Sequence, residues 1–166
     1  MCLPACGVVT GGKMPTSIVH DGPFTLQFEA SASSYRANEP VLAQARFSYE
    51  GDDPVAELSG TGSGAILFDV EQLDGDVDQS AFQHDDCRSY ELPADQPIEK
   101  PFSKSGVYDP ESADAAFWRD FFTDPELRLP AGHYRLTARV TLSAGTGCPQ
   151  PPLDLVASIE IDVVEQ

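Results

Sequence analysis

A chain of 166 residues is long enough for one domain that buries about two thirds of the surface its unfolded form exposes, so neither a metal nor a cluster of disulfides is needed to hold it folded. Asp and Glu number 27 against 10 Lys and Arg, and the resulting net charge of −17 repels nucleic acids and anionic membrane surfaces. Such acidity suits a solvated surface, a high-salt habitat where screening removes self-repulsion, or carboxylates converging on a cation.

The chain opens with Leu3-Pro4-Ala5-Cys6-Gly7, a run similar to the cleavage box of bacterial lipoproteins, which makes Cys6 the candidate for lipidation. No positively charged segment and no apolar run precede that box, so it stands either at a truncated start or as a chance match. A Cys2–Cys6 bridge is the alternative use of these two thiols. The following Gly- and Ser-containing stretch has no period of 2 or 3.6 and is expected to be a flexible tether or a frayed terminus. On this reading residues 1–22 are the N-terminal box and tether, and residues 23–166 the folded domain.

From Phe24 onward the period is that of a sheet. Phe24, Leu26 and Phe28 alternate with Thr25, Gln27 and Glu29, and after a connection over residues 33–40 so do Val41, Ala43, Ala45, Phe47 and Tyr49 with Leu42, Gln44, Arg46, Ser48 and Glu50. Gly51-Asp52-Asp53-Pro54 is a turn signal. A short strand around residues 56–58, a glycine-punctuated bridge over 59–64 and a strand over 65–73 come next, followed by an acidic loop over 74–86. Short strands are expected over 88–92 and 98–104, at an edge because Pro93 and Pro97 bracket the turn between them.

One helix is expected over about residues 110–123. Asp109 suits its cap, Pro110 its first turn and Glu111 its positive end, and Asp124-Pro125 stops it. Ala113, Phe117 and Phe121 form one row and Asp114, Trp118 and Phe122 its neighbour, so the helix is expected to plug one end or face of the sheet structure, with Trp118 a candidate binding residue. Leu129-Pro130-Ala131-Gly132-His133 feeds a strand over 134–142, and the last strand runs over 153–164. The sum is an all-β chain, an immunoglobulin-like antiparallel β-sandwich with one inserted helix. Neither an internal repeat nor a membrane-spanning apolar run is present in the sequence.

Two stretches, Tyr35-Arg36-Ala37-Asn38-Glu39-Pro40-Val41 and Leu129-Pro130-Ala131-Gly132-His133-Tyr134-Arg135-Leu136-Thr137-Ala138, resemble signatures of immunoglobulin-like domains in bacterial secreted proteins and lipoproteins. More distantly they resemble the domain of the bacterial intracellular proteinase inhibitor family. Both motifs describe strand-turn-strand construction, so the resemblance implies a fold and transfers no functional residue.

Cys87 and Cys148 lie 61 positions apart in polar, turn-rich contexts, which rules out a CxxC metal or redox motif and makes them the expected disulfide of an exported chain. Asp74, Asp76 and Asp78 alternate along a loop, with Ser80 and Asp85 following at calcium-loop offsets, although Gln79 replaces the turn glycine and Asp85 the longer bidentate Glu, so these three aspartates are the candidate calcium ligands against a solvated acidic loop. His84, Asp85, Asp86 and Cys87 carry zinc donors, but adjacent residues seldom face one ion. Gly60-Thr61-Gly62-Ser63-Gly64 lacks the glycines of an esterase elbow and the lysine of a phosphate loop, and reads as a bulge or a close approach between strands. His20 and His133 stand isolated.

No catalytic residue and no obligatory cofactor are expected, and the chain is read as not an enzyme. The expectation is a non-catalytic, monomeric binding or structural module of the cell envelope, extracytoplasmic and touching the membrane only through a lipid anchor, with an unknown protein or envelope ligand as partner. The alternatives are a protease inhibitor, because a rigid sandwich can present a loop to a cleft, and a calcium-dependent binding module.

Overall fold

Period-two alternation sets the strands of the computed structural model, which describes residues 14–148 and 150–165. In chain order these are β1 (Thr16–Asp21), β2 (Phe24–Ala30), β3 (Ser34–Arg36), β4 (Ala43–Tyr49), β5 (Val55–Gly60), β6 (Ile66–Gln72), β7 (Asp78–Gln79), β8 (Arg88–Pro93) and β9 (Ile98–Pro101). After α1 (Ala115–Thr123) come β10 (Gly132–Val140), β11 (Ser143–Ala144) and β12 (Val156–Val164). One sheet has the order β1-β2-β4-β9 and the second β3-β12-β10-β6-β7, while β11-β5-β8 form a small third sheet. The β3–β12 pair is parallel, and the other pairings of named strands are antiparallel.

Between the two large sheets the inward phases meet. Leu26, Phe28 and Phe47 from one face Leu136, Ala138 and Ile161 from the other, all buried, and the Phe28 and Phe68 rings stand 5.7 Å apart across the layer. Each of these leucine, isoleucine and phenylalanine side chains contributes about 1.5–3 kcal/mol relative to exposure. The orders β2-β4-β9 and β12-β10-β6 reproduce the A-B-E and G-F-C arrangements of an immunoglobulin-like sandwich. Tyr134 adds the corner of that fold: its ring is fully buried near the start of β10, and its hydroxyl donates to the Pro130 carbonyl at 3.0 Å. Burial pushes the Tyr134 phenol up to about 12.

Several boundaries differ from the sequence reading. Folded structure begins before residue 23, because β1 pairs with β2 along its whole length and turns through Gly22 at φ 56°. Its Thr, Ser and His content resembles a tether by composition, and only the pairing with β2 makes it a strand. The connection over 33–40 holds β3, whose Tyr35 is buried, and the acidic loop holds the short β7. The helix is shorter than 110–123. Asp109 accepts the Glu111 N–H at 2.8 Å and the Ser112 hydroxyl donates to the Asp109 carbonyl at 2.8 Å, so local side-chain bonds fix a turn where the helix was expected to begin. The two short strands bracketing Pro93 and Pro97 do take edge positions, β8 in the small sheet and β9 in the first.

The segment carrying the helix closes one open side of the sandwich. Phe102 N–H donates to Ala43 of β4 at 2.8 Å, and three residues later the Ser105 carbonyl accepts from Gln79 Nε2 at 3.0 Å and from Phe82 N–H at 3.1 Å. The chain thus crosses from the edge of the first sheet to the edge of the second, and α1 lays Phe121 onto the core. Lys104 pins the helix end: its ammonium lies 4.5 Å from the Phe121 ring centroid and donates to the carbonyls of Phe121 and Glu126. A cation there suits the negative end of the helix. Burial holds the Lys104 amine below the usual lysine range.

Cys87, just before β8, is bonded to Cys148 in the connection from β11 to β12, with Cα atoms 6.0 Å apart. The bridge joins the segment entering β8 to the segment leaving β11, the two edge strands of the small third sheet.

Candidate functional site

Where the helical segment re-enters the sandwich, the chain leading into β4 becomes the floor of a groove. Val41 N–H donates to Leu127 at 2.8 Å, and the Leu42 carbonyl accepts from Ser31 N–H at 2.9 Å, so residues 40–42 are clamped between the exit of β2 and the stretch after α1. The groove encloses about 510 Å³, within the size range of ligand and peptide-anchor pockets. Its floor is buried Ala30, Val41, Ala43 and Leu127, and prolines 40, 101 and 125 stand in its walls. Leu42 and Met14 form the rim at 63% and 57% exposure, an apolar surface with nothing packed over it among the described residues.

Glu29 supplies the polar feature. Pointing outward from β2, it accepts Gln27 Nε2 and Gln44 Nε2, one on each carboxylate oxygen and both at 3.0 Å. Two neutral amides orient the group without neutralising it, and among the described residues no Arg, Lys or His forms an ion pair with it. Each oxygen keeps acceptor capacity for a further donor. Glu126 also lines the groove, but its carboxylate is paired with Arg128.

The residues singled out from the sequence lie elsewhere. Trp118 is half-buried, with its indole N–H donated to Asp114 at 2.7 Å and its ring set among Phe117, Phe121 and Phe122. The Trp118 and Ser112 side chains hold the Asp114 carboxyl below its usual range, Ser112 more strongly. Asp74 accepts the His133 N–H at 2.8 Å, while Asp78 sits in β7 opposite Glu71. Among the described residues no three His, Cys, Asp or Glu side chains gather as a metal-holding group. Cys6 lies outside the described residues.

The glycine bridge over 59–64 packs against the loop that precedes β8. Asp86 accepts Gly62 N–H at 2.6 Å and Arg88 Nε at 2.8 Å, and Ser63 Oγ accepts His84 N–H at 2.6 Å. A Cβ at Gly62 would stand 2.6 Å from Asp86 Oδ2, so glycine permits this approach. Arg88, and after it Gly62, hold the Asp86 carboxyl below its usual range. His133 lies on the outer face of β10, Nδ1 at 2.8 Å from Asp162 and Nε2 at 3.3 Å from Glu160, and the Asp162 bond above all raises its pKa. His20 Nδ1 meets Thr25 Oγ1 at 2.8 Å.

Leu42 and Glu29 were not singled out from the sequence, yet Leu42 carried a signal. It is an apolar residue in the outward phase of an alternating strand, where Gln44, Arg46 and Ser48 are its companions. Glu29 carried none, since a carboxylate in the solvent phase of an acidic protein is unremarkable by itself.

Among the described residues no helix is long and apolar enough to cross a membrane. The fold and groove define an all-β sandwich with an apolar groove beside an inserted helix. No family model, no curated protein and no solved structure matches the chain.

Proposed function

We propose that this chain is a non-catalytic binding module of the cell envelope, working outside the cytoplasm and held to the membrane by a lipid on Cys6, with the groove around Leu42 as its contact surface. The observation that carries the reading is the Cys87–Cys148 bridge, because disulfides persist in oxidising compartments and are rare in reducing ones. The groove supports the binding role: its apolar rim, which no described residue covers, offers a seat to a partner's side chains. The surplus of carboxylates keeps such a module soluble and off anionic surfaces, so attachment falls to the anchor.

The test is thiol accounting by intact mass on protein recovered from its own cells, alkylated with and without prior reduction. The expected result is a diacylglyceryl-type mass on Cys6 and two thiols, Cys87 and Cys148, that alkylate only after reduction. Full alkylation without reductant, in a protein that fractionates with the cytosol, would refute the location.

A further inference from the structure

We infer that the groove takes a short segment of a partner protein in which apolar side chains stand next to a lysine or arginine; this deepens the binding-module reading and rests on it. Prolines 40, 101 and 125 in the walls offer no backbone N–H, which leaves a partner fewer ladder donors there and shifts recognition toward side chains. The rim of Leu42 and Met14 over a buried aliphatic floor gives those side chains an apolar seat.

The cation is called for by Glu29. Its carboxylate is fixed at both oxygens by glutamine amides at 3.0 Å, without a described cation to balance it, and the free acceptor capacity on each oxygen suits an ammonium or a two-pronged guanidinium. The rest of the molecule adds to the demand. Six of the seven arginines, Arg46, Arg88, Arg119, Arg128, Arg135 and Arg139, are each paired with a carboxylate, and the seventh, Arg36, is exposed and lies outside the groove lining. Lys100 and Lys104 donate to backbone carbonyls. The net charge of −17 therefore faces water as carboxylates, which steers a cationic segment inward and repels both an anionic lipid and a second copy of this chain.

A random twelve-residue peptide library displayed on phage and panned on the immobilised full chain tests this. Selected peptides are then synthesised and titrated by fluorescence anisotropy against the native chain, Leu42→Asp, Glu29→Gln and a chain starting at Met14, each first checked for an unchanged melting transition. The expected result is enrichment of Lys or Arg beside apolar residues, about tenfold weaker binding to Leu42→Asp and about fivefold weaker binding to Glu29→Gln. That fivefold difference should shrink in 1 M salt as the pair is screened. No enrichment, enrichment without cations, or binding indifferent to both substitutions overturns the inference. Tighter binding by the chain starting at Met14 would assign the groove to this chain's own first residues, and self-association that Leu42→Asp abolishes would assign it to a second copy; either overturns it. The two readings fail separately: a reduced cytosolic protein that still selects such peptides sinks only the location, and an envelope protein that selects none sinks only the occupant.

Discussion

Removing the Cys87–Cys148 bridge is expected to lower the melting temperature through the unfolded state. The bonded residues are 61 apart, and closing a loop of that size removes about 14 cal/mol/K from the unfolded chain, or about 4 kcal/mol at 25 °C. Native hydrogen bonds hold the two ends in place independently: beside Cys148, Ser59 Oγ donates to the Gly147 carbonyl at 3.0 Å and Ser143 Oγ to the Gln150 carbonyl at 2.9 Å, and beside Cys87, Asp86 accepts the Gly62 N–H at 2.6 Å. The folded structure should therefore survive the loss. For a domain of this size each kcal/mol moves the transition by about 2–4 °C, so the combined Cys87→Ser, Cys148→Ser variant should melt about 8–16 °C below the oxidised protein. Circular dichroism melts and urea titrations on the oxidised, reduced and doubly substituted proteins read the effect. The urea m-value should rise without the bridge, because an uncrosslinked unfolded chain exposes more surface. A shift under about 3 °C with an unchanged m-value would refute the entropic account.

Tyr134→Phe removes the hydroxyl that donates to Pro130 at 3.0 Å and leaves that carbonyl unpaired by it. The expected cost is about 1 kcal/mol and a melting temperature about 3 °C lower with an unchanged far-UV spectrum, and an unaltered transition would show that the corner bond contributes nothing. His133 should titrate by NMR above the usual histidine range because Asp162 and Glu160 favour its charged form. Its folded-state value is raised, so its contribution to stability is present in acid and lost as pH rises through that value; His133→Asn should remove this dependence, and a midpoint at or below the usual range would contradict the placement of the ring. Lys100 and Lys104 are half-buried, and their amines are donated to backbone carbonyls, which restricts their access to a reagent. An amine-reactive ester, with modified positions mapped by peptide mass analysis, should label both more slowly in the native protein than after denaturation, and equal rates would place the amines in free solvent.

What was legible from residues alone follows from the reach of each signal. Alternation such as Phe24, Leu26, Phe28 reports on one strand's two faces and survives any partner, so the long strands were readable together with their inward sides. β1 and β3 were not, because Thr16–Asp21 and Ser34–Arg36 become strands only through β2 and β12, partners that lie further along the chain. The helix start was misplaced because Asp109 has the chemistry of a cap and spends it on a turn. The disulfide was inferable from the isolation of Cys87 and Cys148 in polar turns. The groove was not, because its residues come from five separate stretches and no local spacing links Glu29 to Pro101 or Leu127.

The groove's position explains why it exists at all. In a plain sandwich the strand equivalent to β9 turns directly into the one equivalent to β10, whereas here the chain leaves at Pro101, crosses to Ser105 at the edge of β7, forms α1 and returns past Leu127. The return leg bridges Arg128 to Pro40 and places Pro125 and Leu127 beside Val41, so the second wall of the groove belongs to the inserted segment and the first to the sandwich. Without that leg, Leu42 would be one apolar residue on an open sheet face, of the kind that needs no functional account. With it, Leu42 borders an enclosed apolar seat next to a carboxylate fixed by β2 and β4. Glu29 is positioned by the regular ladder and the apolar wall by the irregular insertion. Substitutions in the insertion should therefore alter which side chains the groove accepts, while the Glu29, Gln27 and Gln44 set retains its preference for a cation.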